Sequence, residues 1–416
     1  MIGSHDGPNQ FGRRGLLAGG VVAGLGSAAA IAGLLEKGTS PRDSPIELTA
    51  NDPDASLPLN YVNVKAAPFN AGGVGATDDT AAIARAYQSA AANGRPMFFP
   101  AGNYKVTSLP AMANNMTILG AGAGLSTIIY EGSGTLLSLS NAQHVTFKNI
   151  GFWITGASGT GISLSNCFRC SFESVMIRGQ HSAANTTGFR AQTGVVLTAN
   201  TGGTSFLDCD INNLGTGMKT SCIQNYVANS KFATNYVGIL GTGNNLNAGM
   251  SLMNTEFVSN PSVAETNVHI YIDGRANDWW LTNCWFEGAN KAIVVGVAGV
   301  GGPSQFGMSN CKVAGKQIVL DLQYCRQPHL SNVVFDADPG GTPTLLRINA
   351  SSCPDGVAIN LINSQAADFA SSVFPPNWTV IGRRRFGSTL VSPNGHSWQL
   401  KVSDSGAVTA SDLGVI

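Results

Sequence analysis

A six-residue pattern recurs along most of this chain and limits its fold more than any other feature. It reads apolar, any, Asn-like, small or apolar, any, apolar. Its instances are Phe147-x-Asn149-x-x-Phe152, Phe172-x-Ser174-x-x-Ile177, Phe206-x-Asp208-x-x-Ile211 and Val227-x-Asn229-x-x-Phe232. They continue as Leu252-x-Asn254-x-x-Phe257, Leu281-x-Asn283-x-x-Phe286, Met308-x-Asn310-x-x-Val313 and Leu330-x-Asn332-x-x-Phe335, with a weaker ninth at Leu361-x-Asn363-x-x-Ala366. Successive third positions lie 25, 34, 21, 25, 29, 27, 22 and 31 residues apart. A period in this range with variable insertions predicts a solenoid whose extra residues bulge as loops. A second apolar run follows most instances, as in Gly161–Leu164, Gly194–Leu197, Gly238–Leu240, Ile270–Ile272 and Ile293–Val295. Alternate residues of a strand face opposite ways, so the apolar positions point inward. Several short strands per repeat, with an Asn column at one bend, predict a parallel β-helix. The Asn side chains are expected to stack rung on rung and bond backbone groups that the bend leaves unpaired. A β-propeller would need near-constant blades, and the uneven spacing counts against it.

Composition fits that reading. The chain has 416 residues, 51 of them Gly and 35 Asn, and only 12% are charged. Abundant Gly and Asn favour turns and short strands over long helices. Its 24 basic and 24 acidic residues cancel, whereas a nucleic-acid binder carries a basic excess, so none is expected as a partner.

The first residues read as an address. Arg13-Arg14 stands before an apolar, Gly- and Ala-rich stretch without charge up to Glu36. This resembles a bacterial twin-arginine export signal over residues 1–35, which implies the twin-arginine export machinery as a partner and a secreted or cell-envelope location. Residues 36–59, rich in Pro, Asp and Ser, read as a linker. Thr77-Asp78-Asp79-Thr80 then opens the one clear helix, from about residue 80 to 92, with Asp78 or Asp79 accepting from the first-turn N–H groups and Ile83, Tyr87 and Ala90 on one face.

The run FNAGGVGATDDTAAIARAYQSAAANGRPMFFPAGNYKV, followed by MTILGAGAGLSTIIY, resembles the opening segment of the pectate-lyase-like superfamily, of the epimerase/rhamnogalacturonase-like kind. The resemblance covers about residues 61–130. It implies a right-handed parallel β-helix whose first coil is capped by the Asp-Asp-Thr helix. It is far less specific for activity, because lyases, hydrolases, epimerases and tailspikes share that fold. Polygalacturonase-like members carry Asn-x-Asp, Asp-Asp, His-Gly and Arg-x-Lys motifs. Here Asp208-Cys209-Asp210 is the nearest echo, and the His-Gly and Arg-x-Lys elements are missing. Gly120-x-Gly122-x-Gly124 could suggest a dinucleotide fingerprint, but a strand rather than a helix follows, so no cofactor is expected.

The eight cysteines fall in columns. Cys209, Cys284 and Cys311 follow the Asn position, while Cys167, Cys222 and Cys325 stand five residues before the first apolar position. Buried free thiols explain this more simply than disulfides. Cys167-x-x-Cys170 lacks a second pair, so no zinc site is expected. His269 precedes an apolar strand and reads as packed, and Asp336 and Asp338 are too few acids for Ca²⁺.

The residue two after the Asn position must point outward. Over five repeats it is Asp210, Lys231, Glu256, Trp285 and Lys312. Before the first apolar position come Tyr226, Trp280 and His329, and after the last come Arg178, Asn212, Glu287 and Asp336. In a chain so poor in charge, one outer face is thus expected to gather carboxylates, lysines and aromatics. Asp210, Glu256 and Lys231 are the candidate catalytic residues. Trp285, Trp280, Tyr226 and Lys312 are the candidate residues for binding a sugar polymer. The plainer alternative is an ion ladder that only helps set register.

Arg383-Arg384-Arg385 marks a boundary after the β-helix domain at 60–375. Residues 386–416, with Asn394-Gly395 and alternating Trp398, Leu400 and Val402, read as a hairpin module. It is similar to short β modules on phage tail and other surface proteins, which implies a homotrimer or a cap on the open end. The sequence therefore predicts an all-β chain: a parallel β-helix with one capping helix and a C-terminal hairpin module. The expected function is an exported lyase or glycoside hydrolase acting on a polysaccharide. The alternatives are a non-catalytic glycan-binding, adhesin or tailspike-like protein, or a purely structural envelope protein.

Overall fold

A computed structural model of the chain describes residues 60–243, 249–260, 265–274, 278–365, 369–382 and 389–415. Arg13, Arg14, the linker to residue 59 and the arginine run 383–385 lie outside the described residues. Three parallel sheets, here named A, B and C, contain 13, 12 and 9 strands. Between Thr117 and Ile348 each coil adds one strand to each sheet in turn. Ser205–Leu207 joins A, Asp210–Asn212 joins B and Thr216–Thr220 joins C, after which Asn225–Ala228 returns to A. This is a parallel β-helix. The second apolar run of each repeat is the sheet C strand, as in Ala191–Thr198 and Thr266–Ile272.

In-register pairing puts each repeat position above its counterpart. Phe147, Phe172 and Phe206 pair across sheet A, and Phe232, Phe257 and Phe286 across sheet B. Their rings stack at 4.7–5.3 Å with interplanar angles of 3–9°. All are buried, so the inward columns form one continuous narrow core.

The bend from sheet A to sheet B is a single residue. Asn149, Ser174, Asp208, Asn229, Asn254, Asn283, Asn310, Asn332 and Asn360 all have φ of 49–55°. Asn and Asp tolerate this left-handed region better than other residues with a Cβ. Each backbone N–H there donates to a carbonyl of the next coil, for example Asn254 to Thr282 at 3.0 Å. The expected side-chain-to-backbone ladder is corrected to side chain upon side chain. Asn254 Nδ2 donates to Asn229 Oδ1 at 3.1 Å, Asn283 to Asn254 at 3.2 Å, and Asn360 to Asn332 at 2.7 Å. The ninth repeat is also corrected. Ala358, not Leu361, pairs with Leu330, so Asn360 carries the ladder and Asn363 does not.

Helix α1 spans Thr80–Ala92 and buries Ala82, Ile83, Ala86 and Ala90. Tyr87 lies at the edge of that face, its hydroxyl accepting from Ala113 N–H at 2.8 Å. Of the two expected capping acids, Asp78 serves the helix by accepting from Thr80 N–H at 2.9 Å. Asp79 turns away and accepts from Gly72 and Gly73 N–H at 2.6 and 2.9 Å, tying the preceding loop to the cap.

All eight cysteines are buried and unbridged. Realigning the ninth repeat places Cys353 five residues before Ala358, which extends the column of Cys167, Cys222 and Cys325. At the C-terminus, Thr389–Val391, His396–Val402 and Val408–Val415 form a three-stranded antiparallel sheet. The hairpin occurs, but the alternation does not bury its apolar face: Ser397 is buried while Val402 is 71% exposed.

Candidate active site

Strand register places the five predicted outward residues in one column of sheet B. Asp210 pairs with Lys231, Lys231 with Glu256, Glu256 with Trp285, and Trp285 with Lys312. Inward neighbours on both sides hold them outward: Cys209 and Ile211 flank Asp210, and Thr255 and Phe257 flank Glu256, all buried. Lys231 Nζ lies 3.8 Å from Glu256 Oε2. Lys312 sits over the Trp285 ring, 4.4 Å from its centroid, and 3.5 Å from Asp336. Trp285 Nε1 donates to Glu287 Oε2 at 3.1 Å. The column thus has two parts: an acid–lysine–acid set, and a tryptophan held between a lysine and a glutamate.

A groove of about 260 Å³ runs beside the first part, lined by Asp208, Asp210, Asn229, Lys231, Asn254 and Glu256, with Cys209 and Ser230 beneath. Asp208, Asn229 and Asn254 belong to the corner ladder and were not among the predicted site residues. Their signal was the Asp standing in the Asn column. Asp208 Oδ2 accepts from Ser174 Oγ at 2.7 Å, which orients it along the ladder.

Tyr226 and Trp280 do not share this face. They belong to sheet A, in the column Ser205, Tyr226, Ser251, Trp280, Gly307, His329. The Asn corner separates them from sheet B, so the single face expected from the sequence is two faces. Only the strand that each residue occupies reveals this, because five residues from Trp280 to Trp285 span the corner through Asn283. Trp279 is buried and Trp280 is 41% exposed. The indole of Trp280 lies against Gly307, where a Cβ has no room.

The other singled-out residues have structural roles. His269 is buried, and its Nε2 lies 2.8 Å from Glu287 O. Burial pushes its pKa down to about 4, so it is neutral at pH 7. Asp338 is buried and accepts from Gly288 N–H at 2.7 Å, whereas Asp336 faces Lys312 and Ser364. Among the described residues no three His, Cys, Asp or Glu side chains converge as metal ligands.

Comparison with known proteins agrees with this architecture. Residues 61–245 match the family described as Rhamnogalacturonase A/epimerase, pectate lyase-like. No curated protein matches the sequence significantly. Among solved structures, the Dettilon tailspike protein superposes with a TM-score of 0.50 at 12% identity, over 83% of this chain and 75% of that one. The A-module of the Azotobacter vinelandii mannuronan C-5 epimerase AlgE6 gives a TM-score of 0.45 at 14% identity, over 78% of this chain and 99% of that one. An alginate lyase from Paenibacillus sp. gives 0.45 at 15%, over 62% and 95%. At these identities the likeness is one of fold.

Proposed function

We propose that this chain is an exported polysaccharide-active β-helix protein that cleaves a glycan laid along the outer face of sheet B. The observation that carries this reading is the placement of Asp210 and Glu256 in one outward column, two rungs apart, with Lys231 between them. Two rungs separate their backbones by about 9–10 Å. Inverting glycosidases hold their carboxyl groups about 6.5–9.5 Å apart, one protonating the leaving oxygen and the other activating water. The same column could serve a lyase only if Lys231 accepted the proton, which requires a neutral amine. Two carboxyl groups on one outward column supply both groups a hydrolase needs, so hydrolysis suits this geometry better. Trp285 offers a flat apolar surface for a sugar ring next to the acids. The family match over residues 61–245 supports a polysaccharide as substrate class.

Incubation with a panel of polysaccharides, reading new reducing ends and unsaturated products, tests the proposal. The double change Asp210→Asn and Glu256→Gln is expected to lower product formation by about 10²-fold or more, the scale of general acid–base catalysis. Unchanged depolymerisation would remove this site. Binding without any product would select the second reading, a non-catalytic glycan-binding or tailspike-like surface protein. That reading is supported by the exposure of the Lys231–Glu256 pair, since such pairs are common on inert surfaces. Export through the Arg13-Arg14 signal belongs to the same proposal, and assaying cell fractions and culture fluid separately tests it.

A further inference from the structure

A second cavity lies away from the sheet B column, where sheet C hands over to sheet A. It holds about 470 Å³, and Gln305, Tyr324, Arg326, Gln327, Ser352 and Asp355 are among the residues that line it. Three successive coils build it. The chain is fixed there by backbone bonds between coils: Gln327 N–H donates to Ser304 O at 3.0 Å and Cys325 N–H to Ser352 O at 3.3 Å. Gly302 packs so closely on the Tyr324 backbone that a Cβ has no room, which holds Tyr324 in the wall. The Gln305 and Gln327 amides sit on paired strands, Nε2 to Oε1 at 3.4 Å, and line one side. Arg326 is exposed, and among the described residues none of the ion pairs uses its guanidinium. Asp355, on the next coil, lines the same cavity.

This set has the chemistry of a sugar-binding pocket. Paired carboxamides and serine hydroxyls match ring hydroxyls as donors and acceptors, and a phenol ring supplies an amphipathic wall. An unpaired guanidinium matches a carboxylate through two parallel bonds. Asp355 repels a carboxylate at its own side of the cavity and accepts hydroxyls there, so the anionic group is directed to Arg326. The pocket also continues onto sheet A. Gln305 and Gln327 are outward residues, and two residues further along the same strands are Gly307 and His329, with Trp280 lying on Gly307. Two strand residues span about 7 Å, the scale of one sugar ring.

We propose that this corner is a second oligosaccharide site, separate from the sheet B column. It seats a uronate residue with its carboxylate on Arg326 and its hydroxyls on Gln305 and Gln327. The neighbouring sugar stacks on Trp280. The site rests on the reading that the chain engages glycans, but not on where a glycan is cleaved.

Titration calorimetry of the full chain with short uronate oligomers, and with their methyl esters as uncharged controls, tests the proposal. Arg326→Ala is expected to weaken binding of the uronate oligomer about tenfold or more, as loss of a charge-assisted pair implies. The methyl ester should bind the wild-type chain as weakly as the acid binds this variant. Arg326→Lys should recover only part of the affinity. Trp280→Ala should weaken both ligands, and the loss caused by Arg326→Ala should be the same whether or not Asp210→Asn and Glu256→Gln are also present. Because Arg326 is exposed, its replacement does not threaten the fold. Undiminished binding by Arg326→Ala, or no binding of uronate oligomers by the wild-type chain, overturns the proposal. If the double variant loses binding while Arg326→Ala is silent, the ligand lies on sheet B; the corner site fails and the proposed catalytic face stands. If the Arg326 result holds while the double variant still depolymerises, the catalytic reading fails and the corner site stands.

Discussion

Asn254 shows how one residue type can define a coil. Its φ of 49° turns the chain from sheet A to sheet B, and its side chain bonds the amides above and below it. These two contributions separate by mutation. A left-handed residue with an ordinary Cβ costs roughly 1–2 kcal/mol, and an exposed amide bond contributes about 0.5–1.5 kcal/mol. Asn254→Ala, which incurs both losses, is therefore expected to lower stability by about 1.5–3.5 kcal/mol, and Asn254→Gly by clearly less, because glycine keeps the backbone conformation at no steric cost. Equal losses would mean that the amide ladder, not the backbone, sets the preference. The Asn column was legible because the same constraint recurs on every coil. The ninth repeat was misaligned because Asn363, like Asn360, stands two residues after an apolar one; only strand pairing distinguishes them.

Where a coil carries a cysteine, its side chain is buried in the core, which governs its chemistry. Burial pushes the thiols of Cys209 and Cys325 up to about 12 and that of Cys353 to about 11. Such thiols yield little thiolate, whereas Cys167 and Cys311, whose pKa values are lowered by hydrogen bonds with Cys170 and Cys284, are shielded by burial alone. The folded protein should not react with a thiol-specific reagent at pH 8, and all eight cysteines should react once it is unfolded without reductant. Fewer than eight would reveal bridges. The helical cap was equally legible in place, but not in detail. Two adjacent aspartates compete for one role, and the loop glycines that claim Asp79 are close only after the first coil has closed.

Across the whole molecule, the β-helix buries its apolar columns while the C-terminal sheet does not. Leu390, Val402, Val408 and Leu413 are 47–71% exposed, and the strand Val408–Val415 leaves one edge unpaired. Small sheets with open edges and bare apolar residues are stabilised by association. We expect the full-length chain to form a trimer through residues 386–416, giving three times 43.0 kDa by light scattering, and a chain ending before residue 386 to be monomeric. A monomeric full-length chain would exclude this assembly.

The repeat, the inward columns, the bend residues and the outward order of Asp210, Lys231, Glu256, Trp285 and Lys312 follow from sequence alone, because strand alternation and a shared register repeat from coil to coil. What only the tertiary structure decided is which outward residues share a surface. Trp280 and Trp285 are five residues apart yet occupy different sheets, since the left-handed corner at Asn283 turns the chain between them. The pocket at Arg326 likewise needs three coils stacked with their loops in place, and no one stretch of sequence contains it. Periodicity encodes facing within an element. The meeting of elements depends on how many degrees each bend turns and how far each insertion reaches, and the closed coil sets both.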